Sequence, residues 1–216
     1  MTQMKPRQEA GRVLAILEQV HADACIALNF TSPLELLVAT ILSAQCTDVR
    51  VNLVTRDLFR KYPHARAYAE ADLDQLEQDI RSTGFFRNKA KSLIGCASAL
   101  IERHGGEVPQ TMEELTALPG VGRKTANVVL GNAFGVPGMV VDTHVGRVAT
   151  RLGWTRERDP GKIERDLCRL LPKEKWTWAS HVLIFHGRRI CKAPVPLCST
   201  CPVFELCPRI GVNKSK

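Results

Sequence analysis

At three places this chain carries the residues that start a helix, and nowhere does it sustain the alternation that a strand needs. Ser32-Pro33-Leu34-Glu35 offers an N-cap serine, a first-turn proline and a capping-box glutamate ahead of Leu36, Leu37 and Ile41. Thr111-Met112-Glu113-Glu114 repeats the device before Leu115 and Leu118. Asp159-Pro160 opens a third helix with Ile163, Leu167, Leu170 and Leu171 on one face. Helical periodicity also runs through 13–20, 51–59, 73–80, 89–103, 125–133, 145–152 and 176–185. These patterns predict an all-α fold of about ten helices joined by short connections.

The composition, 44% hydrophobic and 24% charged over 216 residues, allows a sizeable core and excludes a wholly disordered chain. The best candidate for a membrane span, 36–44, covers nine residues and contains Thr40 and Ser43, so it is too short. Near the N-terminus, Glu18 and Gln19 interrupt the apolar residues that follow Arg7 and Arg12, the pattern of an amphipathic helix and not of a signal sequence. A soluble cytoplasmic monomer with no membrane partner is expected, associated with the nucleoid if bacterial. Charge is uneven. Residues 1–100 hold 12 basic and 11 acidic side chains, whereas 101–216 hold 18 and 11, and the whole chain carries +8. Within the balanced half, 80–101 contains Arg81, Arg87, Lys89 and Lys91 and no acid. Two basic regions point to a polyanion, nucleic acid foremost, although a solvated basic face has the same composition.

Eight cysteines divide into two groups. Cys25, Cys46, Cys96 and Cys168 stand singly in apolar, helical sequence, where a thiol is expected to be a small buried hydrophobe. The other four crowd into 17 residues as Cys191-x6-Cys198-x2-Cys201-x5-Cys207. Without a signal sequence this spacing indicates a metal site and not a disulfide frame. Four thiolates suit tetrahedral zinc and an iron–sulfur cluster equally.

Two helix starts carry the chemistry. Leu118-Pro119-Gly120-Val121-Gly122-Arg123-Lys124-Thr125-Ala126 joins two helices through a tight turn. Gly120 and Gly122 are expected to take positive φ and to admit a close backbone approach. The second helix then presents free N–H groups and its positive dipole end, a site for a phosphate oxygen to which Arg123 adds charge. The segment resembles the helix-hairpin-helix DNA-binding motif. Lys124, in the first turn, is placed either to contact phosphate or, with its neutral amine favoured by Arg123, the helix end and partial burial, to attack an electrophilic carbon. Eighteen residues on, after a Gly- and Pro-rich seam at 131–141, Asp142 opens the helix of Val140-Val141-Asp142-Thr143-His144-Val145. It fits an ordinary N-cap, and a capping carboxylate can also stabilise positive charge or accept a proton.

Hairpin, seam and aspartate together resemble the helix-hairpin-helix DNA glycosylase superfamily, and the cysteine spacing narrows this to the endonuclease III family. Leu42-Ser43-Ala44-Gln45, the stretch 84–90, Gly106-Glu107-Val108-Pro109 and His186-Gly187-Arg188 extend the resemblance over nearly the whole chain. It implies two helical domains flanking a DNA-binding cleft: 24–136 with six helices and the hairpin, and 1–23 joined to 137–216 around a [4Fe–4S] cluster on Cys191, Cys198, Cys201 and Cys207. It further implies removal of oxidised pyrimidines from duplex DNA and nicking at the abasic site. Lys124 is then the nucleophile at C1′, and Asp142 the carboxylate that stabilises the sugar and helps deprotonate it. The damaged nucleotide must leave the stack for C1′ to be reached. Gln45 corresponds to the gap-filling residue, and Phe85 to an apolar wedge that is often leucine in the family. Arg87 and Lys89 flank that wedge as phosphate-binding cations. His144 is expected at the pocket, and Arg188 and Lys192 on a basic loop against DNA. Two rivals are a monofunctional adenine-mismatch glycosylase, which lacks a lysine at the place of Lys124, and a non-catalytic DNA-binding module.

Overall fold

The computed structural model describes residues 6–216, so the first five positions of the expected 1–23 segment lie outside it. Among the described residues the secondary structure is helical without strands. The chain clusters into two compact units, one running from Ala27 to Val136, the other joining the N-terminal segment through Ile26 to Pro137–Lys216.

The continuous unit contains α2 (Pro33–Leu42), α3 (Asp48–Lys61), α4 (Ala65–Ala69), α5 (Leu73–Asp79), α6 (Phe86–His104), α7 (Met112–Thr116) and α8 (Arg123–Ala133). Its centre is α2, whose residues from Leu36 to Leu42 are all buried. A helix apolar all round belongs inside a core, and here the would-be membrane segment fills that place. Ser32 Oγ accepts the Glu35 N–H at 3.2 Å, as a capping box requires. The Glu35 carboxylate turns back to Thr31, one residue before the cap, accepting from both its N–H and its hydroxyl. Thr111 caps α7 in the same way, receiving the Glu114 N–H at 3.3 Å.

Two departures from the sequence expectation matter. Helix α4 is a seventh helix where six were expected; five residues are too few to show a period. Helix α6 begins at Phe86, three residues before the expected 89, because Phe85 turns into it through the left-handed region (φ 49°, ψ 27°) without a side-chain cap. Lys89 thereby stands at the end of the first turn and not at the start of the helix.

The discontinuous unit contains α1 (Pro6–Val20), α9 (Thr143–Arg151), α10 (Pro160–Leu170) and α11 (Trp176–Arg189), followed by a loop with two short 3-10 turns. Leu14 and Leu17 of α1 meet Val145 and Val148 of α9, Ile163 and Leu167 of α10, and Val182 and Leu183 of α11 in one core. Cys191, Cys201 and Cys207 pack against that core from outside. The single cysteines behave differently from expectation. Only Cys96 is buried, its thiol pushed up to about 12; Cys46 and Cys168 are half-buried and Cys25 is exposed, because the last lies in the loop after α1.

Candidate functional site

In the hairpin, the α7–α8 turn is held by the Val121 N–H donating to the Leu118 carbonyl at 3.1 Å. Gly120 has φ +76°, and a Cβ there would stand 2.6 Å from the Ser92 Cβ of α6. Both freedoms expected of glycine are therefore used at this one position. Gly122 uses neither: its φ is −93° and the space beside it is open, so the left-handed conformation expected there is absent. It is instead the N-cap of α8, and an N-cap is normally extended. Among the described residues no side chain caps α8, and the N-terminal end of a helix is favourable for an anion. Arg123 and Lys124 occupy its first two positions, both exposed. The partial burial expected of Lys124 is not found.

Two other loops of the same unit present exposed tips. Gln45, between α2 and α3, has φ 53° and is exposed. Phe85 is 63% exposed, also left-handed, and follows Gly84 at φ 71°. Among the described residues Gln45, Phe85 and Arg209 are the non-glycine residues with positive φ. A bulky aromatic in that region is strained by about 1–2 kcal/mol and, being solvent-exposed, gains little packing in return. Phe86 is half-buried, and the Arg87 guanidinium lies 5.6 Å over its ring and 3.8 Å from Glu77.

Lys89 does not join these exposed cations, which corrects its expected phosphate contact. It is 5% exposed, and its ammonium donates to the carbonyls of Leu42 and Thr83, each at 2.8 Å. Burial pushes its pKa down.

In the other unit, Asp142 is the N-cap of α9. Its Oδ1 accepts the N–H groups of His144 and Val145, both at 2.8 Å, leaving Oδ2 outside the cap. His144 is half-buried with Nδ1 3.1 Å from Arg147 Nη2. Burial lowers its pKa, against the opposing pull of Asp142. Arg147 also donates to the carbonyls of Gly187 (2.9 Å) and Cys191 (3.0 Å). One turn on, Arg151 donates to the carbonyls of Cys191 (3.2 Å), Lys192 (2.9 Å) and Pro194 (3.3 Å), and to Cys191 Sγ (3.3 Å). Two arginines of α9 thus hold the cysteine loop by its backbone. Arg188 and Lys192 are exposed beside it.

Cys191, Cys198, Cys201 and Cys207 line one cavity with Arg151 and His186. Burial pushes the Cys201 thiol up to about 11 and raises that of Cys207, so these sulfurs become thiolates when positive charge shares the cavity. Among the described residues no group of three or more His, Cys, Asp or Glu is arranged to hold one metal ion. His186 Nε2 stands 3.7 Å from Cys201 Sγ, and its Nδ1 lies 3.2 Å from His21 Nε2. Burial, then the neighbouring His21, pushes the His186 pKa down to about 4.

The chain matches the HhH-GPD superfamily base excision DNA repair proteins over residues 38–173. It is 53% identical to endonuclease III of Synechocystis sp., over 94% of this chain and 93% of that protein. It is 51% identical to endonuclease III of Bacillus subtilis, over 91% and 89%. The chain belongs to the endonuclease III family. A solved structure described as a trapped endonuclease III–DNA covalent intermediate, in an estranged-adenine complex, superposes with a TM-score of 0.90 at 46% identity, covering 95% of this chain and 97% of that one.

For an endonuclease III chain, the residues that sequence reasoning missed are Arg147, Arg151 and His186. The two arginines are one helical turn apart on α9, a spacing visible in the sequence. Their acceptors are backbone carbonyls some 40 residues away, which no side-chain pattern marks. No helix among the described residues is long and apolar enough to cross a membrane.

Proposed function

We propose that this endonuclease III-family protein removes oxidised pyrimidines from duplex DNA and nicks the strand, with Lys124 as nucleophile and Asp142 as the assisting carboxylate. The observation that carries the reading is Lys124 in the first turn of α8, behind an N-terminus that no side chain caps, in a chain 46% identical to a protein trapped covalently on DNA. The N-terminal end of α8 and Arg123 seat a phosphate of the flipped nucleotide beside the amine. The neutral Nζ bonds to C1′ as the glycosidic bond breaks, and the base departs with its electron pair and a proton. The sugar ring opens to the Schiff base; loss of a C2′ proton then expels the 3′ phosphate, and water releases Lys124. Asp142 keeps Oδ2 available to face the positive charge that develops on the sugar. Gln45 and Phe85 are the side chains that enter the stack, and Arg87, Arg188 and Lys192 meet phosphates.

The four thiols of the cysteine loop fit a [4Fe–4S] cluster. The four sulfurs line one cavity, and likeness to the endonuclease III proteins selects the cluster over a single zinc. When bound, the cluster supplies iron–thiolate bonds that hold the loop folded. Arg151 then faces Cys191 Sγ, and His186, neutral through burial, faces Cys201.

Borohydride trapping on a duplex carrying thymine glycol tests the chemistry. A covalent species is expected with the wild type and none with Lys124→Gln. Base release without trapping by the wild type would make the enzyme monofunctional and Lys124 a phosphate ligand. Binding without any release would favour the non-catalytic module.

A further inference from the structure

Lys89 stands where helix electrostatics do not want it. In the first turn of α6 a cation faces the positive end of the helix, and this one is buried as well. Among the described residues no carboxylate pairs with its Nζ; the charged form is satisfied by two carbonyls, with the half-buried Cys46 thiol beside it. One carbonyl, that of Leu42, is the last of α2, where the negative end of the helix supplies the compensating field. The other, that of Thr83, closes the 3-10 turn 81–83. Each acceptor lies at the root of a strained tip. Leu42 is three residues before Gln45, and Thr83 two residues before Phe85, two of the three left-handed non-glycine residues described.

We propose that Lys89 is a positioning residue that ties together the roots of the Gln45 and Phe85 tips and so fixes the spacing of the two side chains that enter the DNA gap. The inference rests on the reading of Gln45 and Phe85 as inserting residues. Without the ammonium, two carbonyls 41 residues apart in the chain lose their shared donor, and the two left-handed tips relax independently. An exposed cation would have added affinity for any DNA; this buried one adds geometry only at a site where a nucleotide has been displaced.

Lys89→Met removes the donor at similar length. Three quantities test the role: affinity for undamaged duplex, single-turnover release of thymine glycol from duplex, and Schiff-base trapping on an abasic site in single-stranded DNA. Expected are unchanged undamaged-duplex binding, at least a tenfold slower release, and trapping within twofold of wild type, because a single strand leaves no gap to fill. A duplex with 2-aminopurine opposite an abasic analogue should also lose the enzyme-induced change in its fluorescence. Equal losses in all three quantities would mean a general folding role and would overturn the proposal, as would a wild-type release rate.

Release by the double variant Gln45→Ala/Phe85→Ala separates the two layers. Wild-type release by that variant would overturn the insertion reading itself. A slow double variant to which Lys89→Met adds its full tenfold loss would overturn only the clamp, since residues acting as one unit are not additive. If Lys89→Met does not fold, Lys89→Gln, whose amide still reaches one carbonyl, carries the same comparison with an expected loss of threefold or more.

Discussion

Both units turn cations inward to hold a functional loop, but they do so on different foundations. In the continuous unit a lysine serves two carbonyls from within a helix, and the loops it ties are short links between helical elements. In the discontinuous unit, Arg147 and Arg151 serve four carbonyls of the segment 187–194, and that segment leads into a loop with only 3-10 turns of its own. A loop without regular structure leaves most backbone groups to be satisfied elsewhere. The hairpin unit thus ties two loops from within one helix by a single lysine, whereas the cysteine loop hangs on two arginines of a neighbouring helix.

The largest test of that contrast is Cys198→Ser. Loss of one thiolate should remove the iron absorbance and raise proteolysis of 188–209 by tenfold or more, with DNA affinity falling alongside. Hydrogen exchange in α2 and α6 should stay as in the wild type. A colourless variant that binds DNA normally would remove the scaffold role. Next comes Gly120→Ala, which places a Cβ 2.6 Å from the Ser92 Cβ at φ +76° and should destabilise by about 2–4 kcal/mol. Its neighbour Gly122→Ala should cost about 0.5–1 kcal/mol, since only a cap preference is lost. Urea unfolding of both variants gives the ratio, and equal losses would contradict the geometry of the turn.

A smaller effect, of opposite sign, is expected at Phe85→Asn. Asparagine tolerates the left-handed region, so stability should rise by about 0.5–1 kcal/mol while thymine glycol release slows. A loss of stability would show that the exposed ring is packed after all. The smallest concerns Asp79 at the end of α5, which accepts from Lys61 (2.6 Å), Tyr62 (2.9 Å) and Gln75 (3.0 Å). Burial raises its pKa, but those bonds outweigh burial and hold it below the ordinary value. A lowered carboxyl contributes stability that is present above the unfolded-state pKa and is lost as pH falls through the folded one. Asp79→Asn should therefore cost about 0.5 kcal/mol or less near neutrality, discounted for the exposed Lys61, and nothing in strong acid. Unfolding midpoints from pH 7 to pH 2 check the convergence.

What was legible in the sequence was local. Ser32, Thr111 and Asp159 announce their helices because a cap and its N–H groups lie within three residues, and all three cap as expected. Lys124 and Asp142 were legible as helix-start residues for the same reason. Lys89 was misjudged because it sits in an acid-free basic stretch, and charge composition does not show which cation turns inward. Its decisive partner is a backbone carbonyl 47 residues earlier, an acceptor that every residue type offers equally. Gly122 was misjudged because a glycine beside a turn has two uses, flexibility and an open cap, and the sequence spells them identically.

The cap at Asp142 has one more consequence. Both N–H groups are served by a single oxygen, a task that asparagine, serine or threonine would perform nearly as well. The backbone is thus indifferent among four side chains at this position, and only one of them is an anion at neutral pH. Folding leaves about two bits of choice open at residue 142, and the charge written there is left over for the role proposed for it.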